Sequence, residues 1–346
     1  RMTRMISDGS PPRTLRRADW WDAEPAGRPR CRLCPHTCVV DEGACGRCRV
    51  RCARDGVLYA AGYGVLSAVA VDPIEKKPLY HFHPGKPILS IGGWGCNFTC
   101  GFCQNAEISQ RGIDTARALV VSPEELLLHA RDIRDVVGIA YTYNEPLINF
   151  EYVRDCAALF RREGFANVLV TNGYINPEPL ADLIPYIAAA NVDLKAFSAS
   201  FYERECGGRL RHVQRTIEAM VRAGVHVELT TLVIPGCNDS EGEIRRLAEY
   251  IAGLSPDIPL HLSRYFPQHQ YRRPPTPFET LVHLHAEAST HLRYVYIGNV
   301  RDDSYAATRC PRCRAVVVAR RGFHADTSGL AGASCRACGN PLLFVV

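Results

Sequence analysis

The sequence predicts an α/β fold: a partial (βα)6 TIM-like barrel with a Cys-rich N-terminal segment and a C-terminal four-cysteine zinc ribbon. Three observations predict it. From Ile88 to Asn299, strand-like apolar runs alternate with amphipathic helical stretches, the pattern of a parallel sheet with outer helices. Six or seven such repeats, joined by crossovers of one hand, suit a partial barrel better than a closed eight. Thirteen of the sixteen cysteines fall in three tight groups: six within 31–52, three within 96–103 and four within 310–338.

The elements follow in order. Residues 1–30 hold Ser10-Pro11-Pro12, Pro25 and Pro29 with little periodicity, and predict a flexible arm anchored through Trp20 and Trp21. Residues 31–87 form a Cys-rich segment and lead-in, with a hairpin through Gly62 and Gly64. Two prolines between Asp72 and Leu79 forbid a regular helix there, and that stretch either connects elements or lies over the cysteine loop that follows. The core, 88–300, predicts strands at 88–91, 139–143, 167–171, 192–197, 226–234, 260–265 and 294–297. Helices fill the gaps near 122–138, 147–163, 178–189, 209–223, 240–253 and 277–290. The first opens with Ser122-Pro123-Glu124-Glu125, an N-cap, a first-turn proline and a capping glutamate. Residues 301–346 carry two knuckles, Cys310-Pro-Arg-Cys313 and Cys335-Arg-Ala-Cys338, between short β-like stretches. That is a four-thiolate tetrahedral pattern and predicts zinc.

The 47% hydrophobic and 22% charged content is that of a globular chain, and no apolar run is long enough to span a membrane. No basic-then-apolar leader pattern is present, so a reducing, cytoplasmic setting is expected and the grouped cysteines read as metal ligands. Net charge is +5 and sits in the two flanks, where bound thiolates offset it, so nucleic acid is not an expected partner. Cys156, Cys206 and Cys237 read as buried small residues.

The chemistry centres on Cys96-Asn97-Phe98-Thr99-Cys100-Gly101-Phe102-Cys103. A cubane iron–sulfur cluster has four irons and normally takes four thiolates. Three thiolates spaced C-x3-C-x2-C leave one iron open, and an open position is where a metal centre binds substrate. In the N-terminal group Cys31, Cys34, Cys38 and Cys48 are the expected ligands, with His36 able to replace one. Zinc and a second iron–sulfur cluster both suit them, and zinc is preferred because folding the segment needs no redox partner. Polar residues also recur past the strand ends, where parallel barrels build their sites. They are Tyr143 to Pro146, Thr171 to Gly173, Asp193 and Lys195, Ile234 to Asp239, and His261 with Ser263 and Arg264. Each has a plain alternative: Glu145 can cap a helix, Asp193 and Lys195 can pair, Asn172-Gly173 can be a turn, and His261 with Arg264 can form a satisfied network.

The C-x3-C-x2-C loop with Phe102 resembles the signature of the radical S-adenosylmethionine (radical SAM) superfamily. Together with Cys31 to Cys38, Asp72 to Tyr80, Tyr141 to Pro146, Val192 to Lys195, Ile234 to Asp239 and His261 to Arg264, it resembles the radical SAM enzymes of the AmmeMemoRadiSam system, relatives of pyruvate formate-lyase activating enzymes. The resemblance implies a [4Fe–4S] cluster on Cys96, Cys100 and Cys103, with SAM on its fourth iron. Glu145, assisted by Asn144 and Asn172, would take the SAM amino group. Asp193 and Lys195 would meet its ribose or carboxylate, and Phe102, Ile234 and Gly236 would border its adenine. An oxidoreductase-type enzyme follows. An electron donor such as flavodoxin or ferredoxin reduces the cluster, SAM is cleaved to a 5′-deoxyadenosyl radical, and that radical takes a hydrogen atom from a partner protein or a small molecule. His261, Arg264, Asn172 and Glu228 are the expected substrate contacts. The alternative is a non-catalytic metal-binding, electron-transfer or RNA-docking protein.

Overall fold

The computed structural model describes residues 15–25, 27–113 and 119–346; residues 1–14 of the expected arm lie outside them. The core is an eight-stranded sheet whose strands run in chain order. They are β1 (Ala68–Pro73), β2 (Pro87–Gly92), β3 (Gly138–Tyr141), β4 (Ala166–Thr171), β5 (Ala189–Asp193), β6 (His226–Val233), β7 (Leu260–Arg264) and β8 (Val295–Gly298). β1 pairs antiparallel with β2, and every later pairing is parallel. β1 and β8 are the sheet's two edges, so it is open. The connecting helices are α1 (Pro123–Arg131), α2 (Phe150–Arg162), α3 (Pro177–Leu183), α4 (Leu210–Arg222), α5 (Glu241–Leu254) and α6 (Phe278–Ala288).

Local chemistry explains the boundaries. At the start of α1 the Glu125 N–H donates to Ser122 Oγ while Glu125 Oε2 accepts the Ser122 N–H, a complete capping box. α5 opens with the N-cap half alone: the Glu243 N–H donates to Ser240 Oγ, while Glu243 Oε1 accepts the Phe197 N–H. β5 lies earlier than the expected 192–197, and α3 ends well before 189. Ala189 and Ala190 favour helix by propensity, yet both are fully buried in β5 between β4 and β6. Packing overrides propensity there. The turn at Gly62 and Gly64 does not close the expected hairpin. The strand before it, Val57–Ala60, pairs with Arg51–Arg54 and Arg16–Arg17; the short strand after it, Val65–Leu66, pairs with Leu119–Val120, and β1, next in the chain, joins the central sheet. The lead-in therefore supplies a sheet edge.

Two satellites flank the sheet. On the N-terminal side Trp21–Ala23 pairs with Pro29–Cys31, and Trp20 meets Phe150 edge-on, so residues 15–25 and 27–30 are tied to the core. The C-terminal unit has β9 (Thr308–Arg309), β10 (Val316–Arg321) and β11 (His324–Asp326) in one small sheet and a two-stranded β12 (Leu330–Ala331) with β13 (Ser334–Cys335). Arg320 docks this unit. Its Nη1 donates to Ala306 O and Thr308 Oγ1, its Nη2 to Tyr80 O at 2.6 Å, and its guanidinium lies 4.0 Å from the Tyr80 ring centroid. Replacing Arg320 with Met leaves those buried acceptors unpaired. The change is expected to cost about 3 kcal/mol in urea unfolding and to raise protease sensitivity in the C-terminal unit first.

Candidate cluster and cofactor site

A cavity of about 600 Å³ opens at the carboxyl ends of the parallel strands. Cys96, Cys100 and Cys103 line one wall, with Asn144 and Glu145 after β3, Thr171 and Asn172 at β4, and Asp193 and Lys195 at β5. Lys76, Lys77 and Pro78, from the proline-flanked stretch after β1, also line it.

The cysteine loop is held from outside. Asn144 Oδ1 accepts the Gly93 N–H and its Nδ2 donates to Gly95 O, both at 2.9 Å. Asn97 Nδ2 donates to Tyr174 O, and Asn97 Oδ1 accepts from Asn172 Nδ2, both at 2.8 Å. Cys96 Sγ accepts the Phe98 N–H at 3.3 Å, and Cys103 Sγ meets Ser109 Oγ at 3.1 Å. Among the described residues, only the C-terminal cysteines bring three or more donor atoms all within 4.8 Å of one another. The three thiols here are not all within that distance of one another, and Cys100 is hydrogen-bonded with Cys206. That spacing and the cavity beside them fit a multinuclear cluster with one open side. Burial pushes the Cys96 and Cys103 thiols above their ordinary value, and a hydrogen bond with Cys206 does the same to Cys100. Binding metal therefore releases protons. Cys206 is fully buried against Cys100 and does not line the cavity.

Glu145 caps the turn that leads into α2: its Oε1 accepts the Leu147 N–H at 2.9 Å and the Thr171 hydroxyl at 2.7 Å. Its Oε2 accepts the Asn172 N–H at 2.7 Å. A carboxylate has about four acceptor positions, so one remains, on Oε2. Burial pushes the Glu145 carboxyl up to about 7. Asp193 and Lys195 pair at 2.9 Å. Burial opposes the Lys195 charge, but Asp193 and the thiols of Cys100 and Cys206 hold its ammonium well above the usual lysine range. Lys195 Nζ stands 6.0 Å from the Phe102 ring centroid.

The sequence model of the radical SAM superfamily matches residues 91–248. The uncharacterized protein MJ0808 of Methanocaldococcus jannaschii is 38% identical over 338 residues, 96% of this chain and 100% of that protein. The chain belongs to the radical SAM superfamily. Pyruvate formate-lyase 1-activating enzyme of Escherichia coli is 24% identical across 45% of this chain and 65% of that enzyme. The benzylsuccinate synthase activating enzyme of Thauera aromatica is 26% identical across 53% of this chain and 56% of that enzyme. A radical SAM methyltransferase from Sphaerobacter thermophilus is a structural neighbour at TM-score 0.49 and 18% identity, over 62% of this chain and 67% of that one.

Of the site residues expected for a radical SAM enzyme, the structure gathers Phe102, Asn144, Glu145, Asn172, Asp193 and Lys195 around the three thiols. It does not bring Ile234 and Gly236 to the cavity: their N–H groups donate to Asn238 Oδ1 and Asp239 Oδ1, and Thr230 and Leu232 of β6 line the wall instead. Glu228 and His261 are also absent from the lining. Glu228 Oε1 accepts the His81 N–H at 2.7 Å and meets His226 Nε2 at 3.0 Å; its Oε2 accepts the Tyr80 N–H at 3.0 Å and meets His261 Nε2 at 2.7 Å. All its acceptor positions are filled. Burial would raise this carboxyl, but the two histidines hold it well below the usual range. Arg264 donates from Nε to Thr276 O, and its neighbour Ser263 lines the cavity in its place.

Sequence reasoning placed Tyr143 at a strand end and expected the stretch from Asp72 to connect elements or lie over the cysteine loop, but gave Tyr143, Lys76 and Lys77 no individual role. Asp72 accepts from Lys76 Nζ, Lys77 Nζ and the Tyr143 hydroxyl at 2.8, 2.6 and 2.5 Å. Burial would raise Asp72, but these three donors keep it well below the carboxylate range. The signal was the polar run Asp72 to Lys77 between two prolines.

In the C-terminal unit Cys310 Sγ lies 3.7 Å from Cys338 Sγ, and Cys313 Sγ 3.7 Å from Cys335 Sγ. In the N-terminal group Cys31, Cys34, Cys38 and Cys48 line a second cavity, while Cys45 and Cys52 are joined in a disulfide and are not free ligands.

Asn144→Ala removes both clamps on the Gly93 to Gly95 turn. It is expected to lose about 1–2 kcal/mol of stability and to lower the iron retained after anaerobic reconstitution, read by colorimetric iron assay.

Proposed function

We propose that the chain is a radical SAM enzyme that cleaves S-adenosylmethionine reductively and passes the radical to a substrate held in the cavity. The observation that carries the reading is the trio Cys96, Cys100 and Cys103, not all within 4.8 Å of one another and lining a cavity of about 600 Å³. These thiolates would hold a [4Fe–4S] cluster, and SAM on its open iron supplies one-electron cleavage of a carbon–sulfur bond and a carbon-centred radical. The remaining acceptor position of Glu145 Oε2 suits an ammonium group. The Asp193–Lys195 pair offers a carboxylate for hydroxyls and an ammonium for a carboxylate. Phe102 and Leu232 supply apolar wall beside them. The buried wall residues, Glu145 and Asn172 among them, would hold reactants close.

The parallel strands, with their sites at one rim, are consistent with a partial barrel. The motifs from Cys31 to Arg264 support kinship with the AmmeMemoRadiSam enzymes. The substrate would be a partner protein, as for activating enzymes, or a small molecule, and the electron donor a flavodoxin or ferredoxin. The C-terminal cysteines would hold zinc, because a zinc–sulfur distance of about 2.3 Å gives a tetrahedral edge of about 3.8 Å, close to the 3.7 Å observed.

Anaerobically reconstituted protein with dithionite and SAM is expected to release 5′-deoxyadenosine. Replacement of Cys96, Cys100 and Cys103 together by Ala should reduce release to background; equal turnover by the variant contradicts the reading. A second expectation concerns pH. An ammonium partner requires ionised Glu145, whose carboxyl is pushed up to about 7. SAM affinity measured by calorimetry should therefore fall as pH drops below that value, approaching roughly tenfold per unit, and level off above about pH 8. Glu145→Gln should bind more weakly and show no such rise.

A further inference from the structure

The N-terminal cysteines are one of two groups of four free thiols that the proposed reaction leaves unused. Cys31, Cys34, Cys38 and Cys48 line one cavity with Leu33, His36, Arg47 and Arg51. Cys31 and Cys48 are buried, and Cys34 and Cys38 half-buried. We propose that these four thiols hold a second [4Fe–4S] cluster, and not zinc, and that this cluster relays single electrons to the one at Cys96, Cys100 and Cys103.

The spacing of the thiols carries the choice of metal. A tetrahedral zinc pulls its four sulfurs to about 3.8 Å from one another. The C-terminal quartet has that spacing: its sulfurs are all within 4.8 Å, with two contacts at 3.7 Å. Among the described residues no three of the N-terminal thiols meet the same limit, and neither do the three at Cys96, Cys100 and Cys103. Within one molecule, the quartet around the N-terminal cavity shares the open spacing of the cluster trio and not the tight spacing of the ribbon. Four irons standing between the sulfurs require the wider arrangement.

A second observation comes from Arg51. Its side chain is almost wholly buried and lines the cavity. Nη1 is bonded to Glu151 and Nη2 to Asp19 O, yet Nε has no partner among the described residues. A buried guanidinium N–H left unpaired is costly. Sulfur atoms of a cluster accept such hydrogen bonds, and these tune cluster potential.

The third observation is position. His36, between Cys34 and Cys38, meets Asn97 O through Nε2 at 2.8 Å, and Asn97 also lines the N-terminal cavity. Gly95 has φ +80°, and a Cβ there would run into the carbonyl oxygen of Cys48. The residues on both sides of Cys96 therefore touch the N-terminal group, which places both thiol sets against one short stretch of backbone. A one-electron, low-potential donor would reduce the N-terminal cluster. The same electron would then pass to the cluster at Cys96, Cys100 and Cys103, returning the first to its oxidised state with no atom transferred. The relay rests on the radical SAM reading; the second cluster does not.

The test uses the full chain with Cys96, Cys100 and Cys103 all changed to Ala, reconstituted anaerobically with iron and sulfide. About four irons per chain and a [4Fe–4S] Mössbauer signature are expected, with an S = 1/2 paramagnetic resonance signal after dithionite. A variant that takes up zinc and no iron overturns the second cluster. One whose cluster dithionite cannot reduce overturns the relay. Should the variant fail to fold, the wild-type metal content decides: about eight irons and one zinc are expected, and about four irons with two zincs refute the proposal. Eight irons without 5′-deoxyadenosine release would refute the radical SAM reading and leave the second cluster standing.

Discussion

The clamping of the loop that carries Cys96, Cys100 and Cys103 against the strand ends is the constraint on which the rest of the site depends. The sulfurs of Cys310, Cys313, Cys335 and Cys338 lie all within 4.8 Å of one another, the spacing a single small cation favours. Here amides hold the loop open. Asn144 grips the backbone on the approach to Cys96, while Asn97 and Asn172 bond to each other and fix the next turn to β4. Both clamps come from residues just past parallel strands, so the loop geometry is inherited from the sheet. The cavity needs no separate explanation: it is the space left where the strands end and the loop is prevented from collapsing.

The same sheet sorts polar groups by depth. Parallel strands in sequential order put Glu145, Thr171, Asn172, Asp193 and Ser263 at one rim. Deeper along β6 and β7, Glu228 and His261 meet the Tyr80–His81 backbone, and Arg320 ties the same segment to the C-terminal unit. One set of polar residues faces the cavity with unused bonding capacity, as in Glu145. The other is saturated and holds the flanking segments to the sheet. The division is between open and filled hydrogen-bonding positions, not between conspicuous and inconspicuous residues.

That division marks what could be read from the chain. Periodicity and caps located the strands and helices well, with Ser122 to Glu125 reproduced in detail as a capping box. The cysteine groups and the rim residues Glu145, Asp193 and Lys195 were legible because turns and strand ends announce themselves. Ala189 was misread as helix and Ala190 was left outside the strand, because their burial in a parallel sheet depends on neighbours far away in sequence. Glu228, His261 and Arg264 were assigned to substrate because depth along a strand leaves no mark in the sequence. Lys76 and Lys77 were left out because their partners, Asp72 and Tyr143, meet only when β1 folds back as the sheet edge. The distances that separate a cluster site from an ion site are a property of the folded backbone, and spacing in the sequence does not contain them.

The central claim is that three thiolates leave one iron open toward the cavity. Electron–nuclear double resonance on the reduced protein, with SAM labelled by nitrogen-15 at its amino group or oxygen-17 at its carboxylate, tests it most directly. Hyperfine coupling from both labels to the cluster, lost when Cys96, Cys100 and Cys103 are replaced together, is the predicted result. A reduced cluster at those cysteines that shows no coupling to either label would contradict the account.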